Sequence, residues 1–292
     1  DMAIDAYRTD LLPAQERGLG AAYYVTGYRV AMLVSGGLAL ILAGEYLGWT
    51  GTYLLMAGLI AACAVITAVS PTADTPEDLA KREIKRKLFD IVKESTRNFM
   101  SKEAAIWILV LIVLYKVGDA FAGSLTTAFL LKGLGFTLTE VGAVNKTVSL
   151  IATLLGAFLG GALMTRMGLY GSLMLFGIFQ AVSNLSFWVL SVIEPSIWAM
   201  GGAVFVENLC GGMGTAAFVG LLTSLCSKEF SATQYALLSS LAAMGRVYLA
   251  APAGSVVAAY GWSDFFIFST LAAVPGLIAL YLLRSSIQKL AR

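Results

Sequence analysis

The chain has no histidine and only three cysteines, and just 13% of its 292 residues are charged. Each scarcity excludes something. Without histidine there is no His proton relay and no ordinary zinc or haem site. Cys63, Cys210 and Cys226 fall in apolar runs without metal-ligand spacing and read as small packing residues. No cofactor or metal is expected. No Gly-x-x-x-x-Gly-Lys-Ser/Thr loop occurs, so an ATP-driven pump has no support. No nucleophile–base pair stands out and the carboxylates lie in apolar runs, so the chain does not read as an enzyme. A net charge of +2 gives no reason to expect a nucleic-acid partner. What is abundant is apolar: 58% hydrophobic residues and a mean hydropathy of +0.80. An ordinary soluble domain is about 25% charged. This is the composition of an all-α, multi-pass membrane protein whose lipid contacts are extensive.

Apolar runs recur at 18–45, 49–70, 104–131, 138–164, 170–193, 196–226, 232–260 and 262–283. A span needs about 20 residues, so these are eight spans. Residues 1–12 read as the end of a further helix, so the expectation is that earlier helices precede residue 1. Lys and Arg sort by side. Arg8, Arg17, eight basic residues in 71–103, Arg166, Lys228, Arg284, Lys289 and Arg292 share one side, and Lys132 lies on the other. The 71–103 loop and the C-terminus are therefore expected in the cytoplasm. Within that loop Thr75-Pro-Glu-Asp reads as a helix start. Leu79, Ile84, Leu88, Val92 and Phe99 then recur at helical spacing among basic residues. That pattern suits an amphipathic helix on the membrane surface, and it also suits a solvated linker. Three parts follow: the remainder of a helix bundle at 1–70, the linker at 71–103, and a six-helix bundle at 104–292.

An internal repeat supports two related halves. Arg29 is followed eight residues later by Gly37 and then by Gly48-Trp49. Arg246 is followed eight residues later by Gly254 and then by Gly261-Trp262. Two similar halves joined by one long basic loop are a transporter pattern.

The strongest chemical signals are charges inside the spans, each costing roughly 2.5–3.5 kcal/mol on insertion scales. They are Arg29, Lys116, Asp119, Lys146, Glu207 and Arg246, with Asp1 and Asp5 nearer the cytoplasmic side. Lys116 and Asp119 are three apart and share a helical face. Pairing between helices explains any one of these charges. The whole set, beside Asn145, Gln180, Asn184 and Asn208, argues for a polar cavity. Burial favours a neutral carboxyl and a nearby cation favours a charged one. A carboxylate beside Lys116 can therefore change charge state as its surroundings open, which proton coupling requires. Asp119 and Glu207 are the deepest acids.

Gly156-xxx-Gly160-Gly161 is a small-xxx-small pattern for close helix packing. Gly211, Gly212 and Gly214 follow Glu207-Asn208, where packing and a flexible joint both remain open. Gly161-Ala-Leu163-Met-Thr-Arg166-Met-Gly168 sits at a cytoplasmic turn. It resembles the G-x-L-x-D-R-x-G loop of the major facilitator superfamily, with Thr165 in the Asp position. Of the aromatic residues Tyr23, Tyr24, Tyr28, Trp107, Tyr115, Phe121 and Phe205, most read as packing, and a few suit stacking on sugar rings.

Longer stretches carry a family resemblance. Asp1-Met-Ala-Ile-Asp-Ala-Tyr-Arg-Thr-Asp-Leu-Leu-Pro, Leu114-Tyr-Lys-Val-Gly-Asp-Ala-Phe, Val144-Asn-Lys-Thr, Glu207-Asn-Leu-Cys-Gly-Gly-Met-Gly-Thr-Ala-Ala-Phe and Gly245-Arg-Val-Tyr resemble the AmpG muropeptide permeases. These belong to the major facilitator superfamily. The resemblance implies the end of helix four with helices five and six, followed by a complete second half of helices seven to twelve. It implies a monomeric, proton-driven importer of anhydromuropeptides in the bacterial inner membrane, serving cell-wall recycling and, indirectly, β-lactamase induction. In that frame Asp119, then Glu207, then Asp1 are the expected proton carriers. Arg29, Lys116, Lys146, Asn145, Asn208, Arg246, Tyr28 and Tyr115 are expected at the substrate. Asp5, Arg8, Gly161, Arg166 and Gly168 are expected at the cytoplasmic gate. A carrier of another anionic solute such as acetyl-CoA, and a non-transporting membrane sensor, are the competing expectations.

Overall fold

The computed structural model describes Gly27 and residues 30–70, 88–101, 104–227 and 230–290. Asp1, Asp5, Arg8, Tyr28 and Arg29 lie outside the described residues, as do Tyr23, Tyr24 and the expected helix start at Thr75. The chain forms two compact units, Asp1–Leu88 and Phe89–Arg292.

The first unit contributes α1 (Val30–Tyr46) and α2 (Gly48–Val69). Two π-helical stretches, Leu33–Leu38 and Leu42–Tyr46, interrupt α1. Gly48 joins the helices with φ +63°, a conformation that a Cβ disfavours.

The second unit begins in α3 (Leu88–Met100) and continues through α4 (Ala105–Gly133), α5 (Leu138–Val192), α6 (Ile197–Leu225), α7 (Ser231–Ala250), α8 (Ala253–Leu282) and α9 (Arg284–Leu290). Of all these helices α2, α4, α5, α6 and α8 are long and apolar enough to cross a membrane. A straight helix as long as α5 would reach about 80 Å, far beyond a hydrocarbon core of about 30 Å. It kinks at Gly168 (φ +70°, ψ 171°), so α5 supplies the two expected spans, 138–164 and 170–193. α8 likewise kinks at Gly261 (φ +82°, ψ 177°), just before Trp262. Gly48-Trp49 and Gly261-Trp262, the paired ends of the sequence repeat, thus share a left-handed glycine at the junction of two helical segments.

Thr137 fixes the start of α5. Its Oγ1 accepts from Glu140 N at 3.2 Å, and its own N donates to Glu140 Oε2 at 2.8 Å. The small-residue pattern is a helix contact. A Cβ on Gly156 would run into Leu209 O, one on Gly160 would approach Met213 Cα to 2.8 Å, and one on Gly212 would run into Thr153 O. These three glycines let α5 and α6 touch backbone to backbone. Gly211–Gly214 lies within an unbroken stretch of α6.

A buried core gathers Leu111, Ile112, Tyr115, Phe176, Phe218, Leu221 and Leu280, and it includes Phe99 of α3. A second apolar layer stacks Phe129, Phe187, Phe265 and Phe266. The α3 segment is amphipathic, yet its Phe99 is covered by this bundle rather than by lipid. Gln234 of α7 fixes the contact, donating to Ser95 O at 3.2 Å and to Asn98 Oδ1 at 3.0 Å. A hydrophobic face states only that something apolar covers it, and here that is protein.

Candidate functional site: a charged cavity in the second unit

α4 is not continuous. Lys116 ends Ala105–Tyr115 and precedes Val117–Ala128, with φ −102° and ψ 6°. Asp119 falls in the first turn of the second segment, where helix amides favour an anion. Lys116 Nζ donates to Asp119 Oδ2 at 3.3 Å and to Thr215 Oγ1 of α6 at 3.1 Å. The side chains are 12% and 28% exposed, so the pair is only partly screened by solvent. Gly118 lets the segment seat closely on α8, because a Cβ there would come within 2.8 Å of Ser269 O and Ala273 Cβ.

A cavity of about 500 Å³ opens beside the pair, lined by Asp119, Gly123 and Ser124 of α4, Glu207 of α6, and Arg246 and Ala250 of α7. Two carboxylates and one guanidinium meet on one surface, with Lys116 bonded to one of the acids. Asn208 steadies the second acid, donating Nδ2 to Glu207 Oε2 at 2.7 Å while also donating to Val204 O at 2.9 Å. Asn208 Oδ1 in turn accepts from Thr153 of α5 at 3.4 Å.

Asp119, Glu207 and Arg246 are thus brought together, with Lys116 and Asn208 in direct support. Asn145 and Lys146 do not line the cavity: Asn145 ends the π-helical stretch Val141–Asn145, and Lys146 follows it. Asn145 is buried and accepts from Ser149 through both its backbone O and its Oδ1. Tyr115, expected at the substrate, does not line this cavity. It is 6% exposed, its hydroxyl donates to Leu173 O at 2.8 Å, and its ring stacks on Phe218 at 5.6 Å. Its neighbour Lys116 sits at the helix break, so the two side chains leave the helix toward different surroundings. Arg166 is exposed beside the turn at Gly168, and Gly161 lies one and a half turns before it. Trp107, 66% exposed, faces outward.

Two contributors escaped the sequence reading: Ser124 and Thr215. A signal existed for one. Glu207, Gly211 and Thr215 recur every four residues, so they share the face of α6 that meets the Lys116–Asp119 pair.

The sequence model of the Major Facilitator Superfamily matches residues 1–250. The chain belongs to the major facilitator superfamily. Within it the chain is of the AmpG type. It is 54% identical over 288 residues to the anhydromuropeptide permease of Escherichia coli K12, covering 99% of this chain and 58% of that protein. The same figures hold for the anhydromuropeptide permease of Escherichia coli O157:H7. A Rickettsia conorii protein named AmpG 4 is 34% identical over 298 residues, covering 98% of this chain and 69% of its own length. The chain spans a little over half the length of the two permeases. These relatives are named as carriers rather than enzymes, in keeping with a superfamily fold of all-helical, multi-pass membrane proteins.

Proposed function

We propose that this chain is the cavity-bearing part of a proton-coupled importer of anhydromuropeptides in a bacterial inner membrane. The observation that carries the proposal is the cavity itself, where Asp119, Glu207 and Arg246 converge. A permanent cation beside an acid suits a carboxylate-bearing substrate, and an acid that exchanges its proton with that cavity suits symport. Asp119 is the leading proton carrier, because it lines the cavity and is bonded to Lys116. Glu207 is second. Arg246 binds the peptide or lactyl carboxylate, with Asn208 steadying Glu207. Lys146 and Asn145 belong to a neighbouring part of the path, and Gly161, Arg166 and Gly168 to the cytoplasmic turn. Asp1, Asp5, Arg8, Tyr28 and Arg29 are carried in the same proposal on sequence alone. The substrate class is supported by the printed name of the Escherichia coli relatives, anhydromuropeptide permease. The sorting of basic residues supports a cytoplasmic 71–103 loop and C-terminus.

The test is uptake of radiolabelled anhydromuropeptide by spheroplasts that lack their own carrier and express the complete gene product holding this sequence. Accumulation that a protonophore abolishes is expected. Uptake that the protonophore leaves unchanged removes proton coupling. Binding without uptake favours a sensor.

A further inference from the structure

Behind Asp119 lies a pair of buried amides that the cavity does not use. Gln180 of α5 is 5% exposed, and neither its Nε2 nor its Oε1 has a hydrogen-bond partner among the described residues. Asn184, one turn along, is 1% exposed. It donates to Gly118 O at 3.4 Å, while its Oδ1 is unpartnered among the described residues. Buried amides without partners are rare in proteins, and ordered water is the common remedy.

The room for water is at Gly211. The position a Cβ would take there has two neighbours within 4 Å, Asp119 Oδ1 and Gln180 Nε2, both at 3.9 Å. Gln180 is held in this direction by Gly214, whose missing Cβ leaves space for the amide to lie on α6. Asp119 is therefore two-faced. Its Oδ2 takes the Lys116 ammonium, and its Oδ1 looks across the Gly211 gap toward Gln180. The other ionisable groups around it are Glu207 of α6 and Arg246 of α7, which share its cavity. Tyr115 is committed to Leu173 O.

We propose that Gln180 and Asp119 Oδ1 bind water over Gly211, and that this water is a second proton port for Asp119, distinct from the cavity. This rests on the proton-coupled reading above. In the step, the Asp119 O–H bond breaks and its proton passes to a lone pair of the bound water. The carboxylate left behind is held by Lys116, and the reverse transfer reloads it. Water satisfies the Gln180 amide and needs no other reactant. Gln180 acts through the water, as a positioning residue.

Two variants of the complete gene product in proteoliposomes test the port. Gln180→Leu removes the amide. Gly211→Ala puts a methyl into the gap at ordinary contact distance, and alanine favours a helix over glycine, so a purely structural role leaves that variant folded and active. Both variants are expected to lose at least about tenfold in gradient-driven accumulation. Proton-independent exchange of labelled for unlabelled substrate is expected to stay within about twofold of wild type. A high-resolution structure of the wild type is expected to show water between Gln180 Nε2 and Asp119 Oδ1. Coupling that survives intact in Gly211→Ala, or a dry gap, overturns the port while leaving symport standing. Wild-type accumulation that ignores the gradient removes symport and the port together.

Discussion

At the scale of single residues, the site is a small set of charges whose surroundings differ. Asp119 and Glu207 were legible in the sequence because a carboxylate in an apolar run is conspicuous and costly. Thr215 and Ser124 were not, because a hydroxyl in a span usually bonds its own helix, as Thr126 does to Ala122 O. That Tyr115 faces the core rather than the cavity was not legible for a related reason: an aromatic next to a charge says nothing about which side of a helix break it follows. The Lys116–Thr215 bond makes a local prediction. Thr215→Val keeps the shape and removes the acceptor, and because the bond is exposed it should destabilise the folded protein by only about 0.5–1.5 kcal/mol. Unfolding in mixed detergent measures this, and an unchanged midpoint would show that Lys116 does not use the hydroxyl. At Glu207, Gln is nearly isosteric and keeps a polar contact with Asn208. Glu207→Gln should therefore insert and fold as wild type, with any transport defect showing as altered substrate affinity or coupling. Loss of the folded protein in that variant would assign Glu207 to structure.

At the scale of helices, glycine decides where backbones meet and where they turn. The turns at Gly168 and Gly261 were legible because apolar runs longer than a bilayer must bend, and a glycine sat at each boundary. The contact of α5 with α6 was legible as a spacing but not as a geometry. A Cβ on Gly156 would enter the space of Leu209 O, so Gly156→Ala should force the helices apart at a cost of about 1–3 kcal/mol. A lowered thermal midpoint checks this, and a neutral outcome would mean the two helices are further apart than described. The α3 segment was only half legible. Its apolar face was visible, whereas its partner depended on Gln234, a single polar residue 135 or more positions away. Gln234 also accepts from Ser227 N at 2.7 Å, so Gln234→Leu leaves several buried groups unpaired. Faster amide exchange across residues 92–100 is the expected result, and unchanged protection there would show that Phe99 alone holds α3.

At the scale of the whole molecule, two physical facts organise the chain: helices must satisfy their backbone in lipid, and buried charges must find partners. The helical class was legible from hydropathy alone. A polar cavity was legible as a set of embedded charges, but its lining was not, since that depends on which faces of α4, α6 and α7 converge. The proposed orientation is checked by single cysteines on a cysteine-free background. A thiol at Lys289 should react with an impermeant reagent only from the cytoplasmic side, and one at Lys132 only from the opposite side. The reverse pattern would invert the direction assigned to every step. The role of Asp119 is tested most directly by gradient-driven accumulation of labelled anhydromuropeptide in proteoliposomes, comparing the complete wild-type gene product with Asp119→Asn. Wild type should concentrate substrate when an inward proton gradient is imposed, and Asp119→Asn should insert normally yet only equilibrate it. Accumulation by Asp119→Asn at the wild-type level would show that the proton is carried elsewhere.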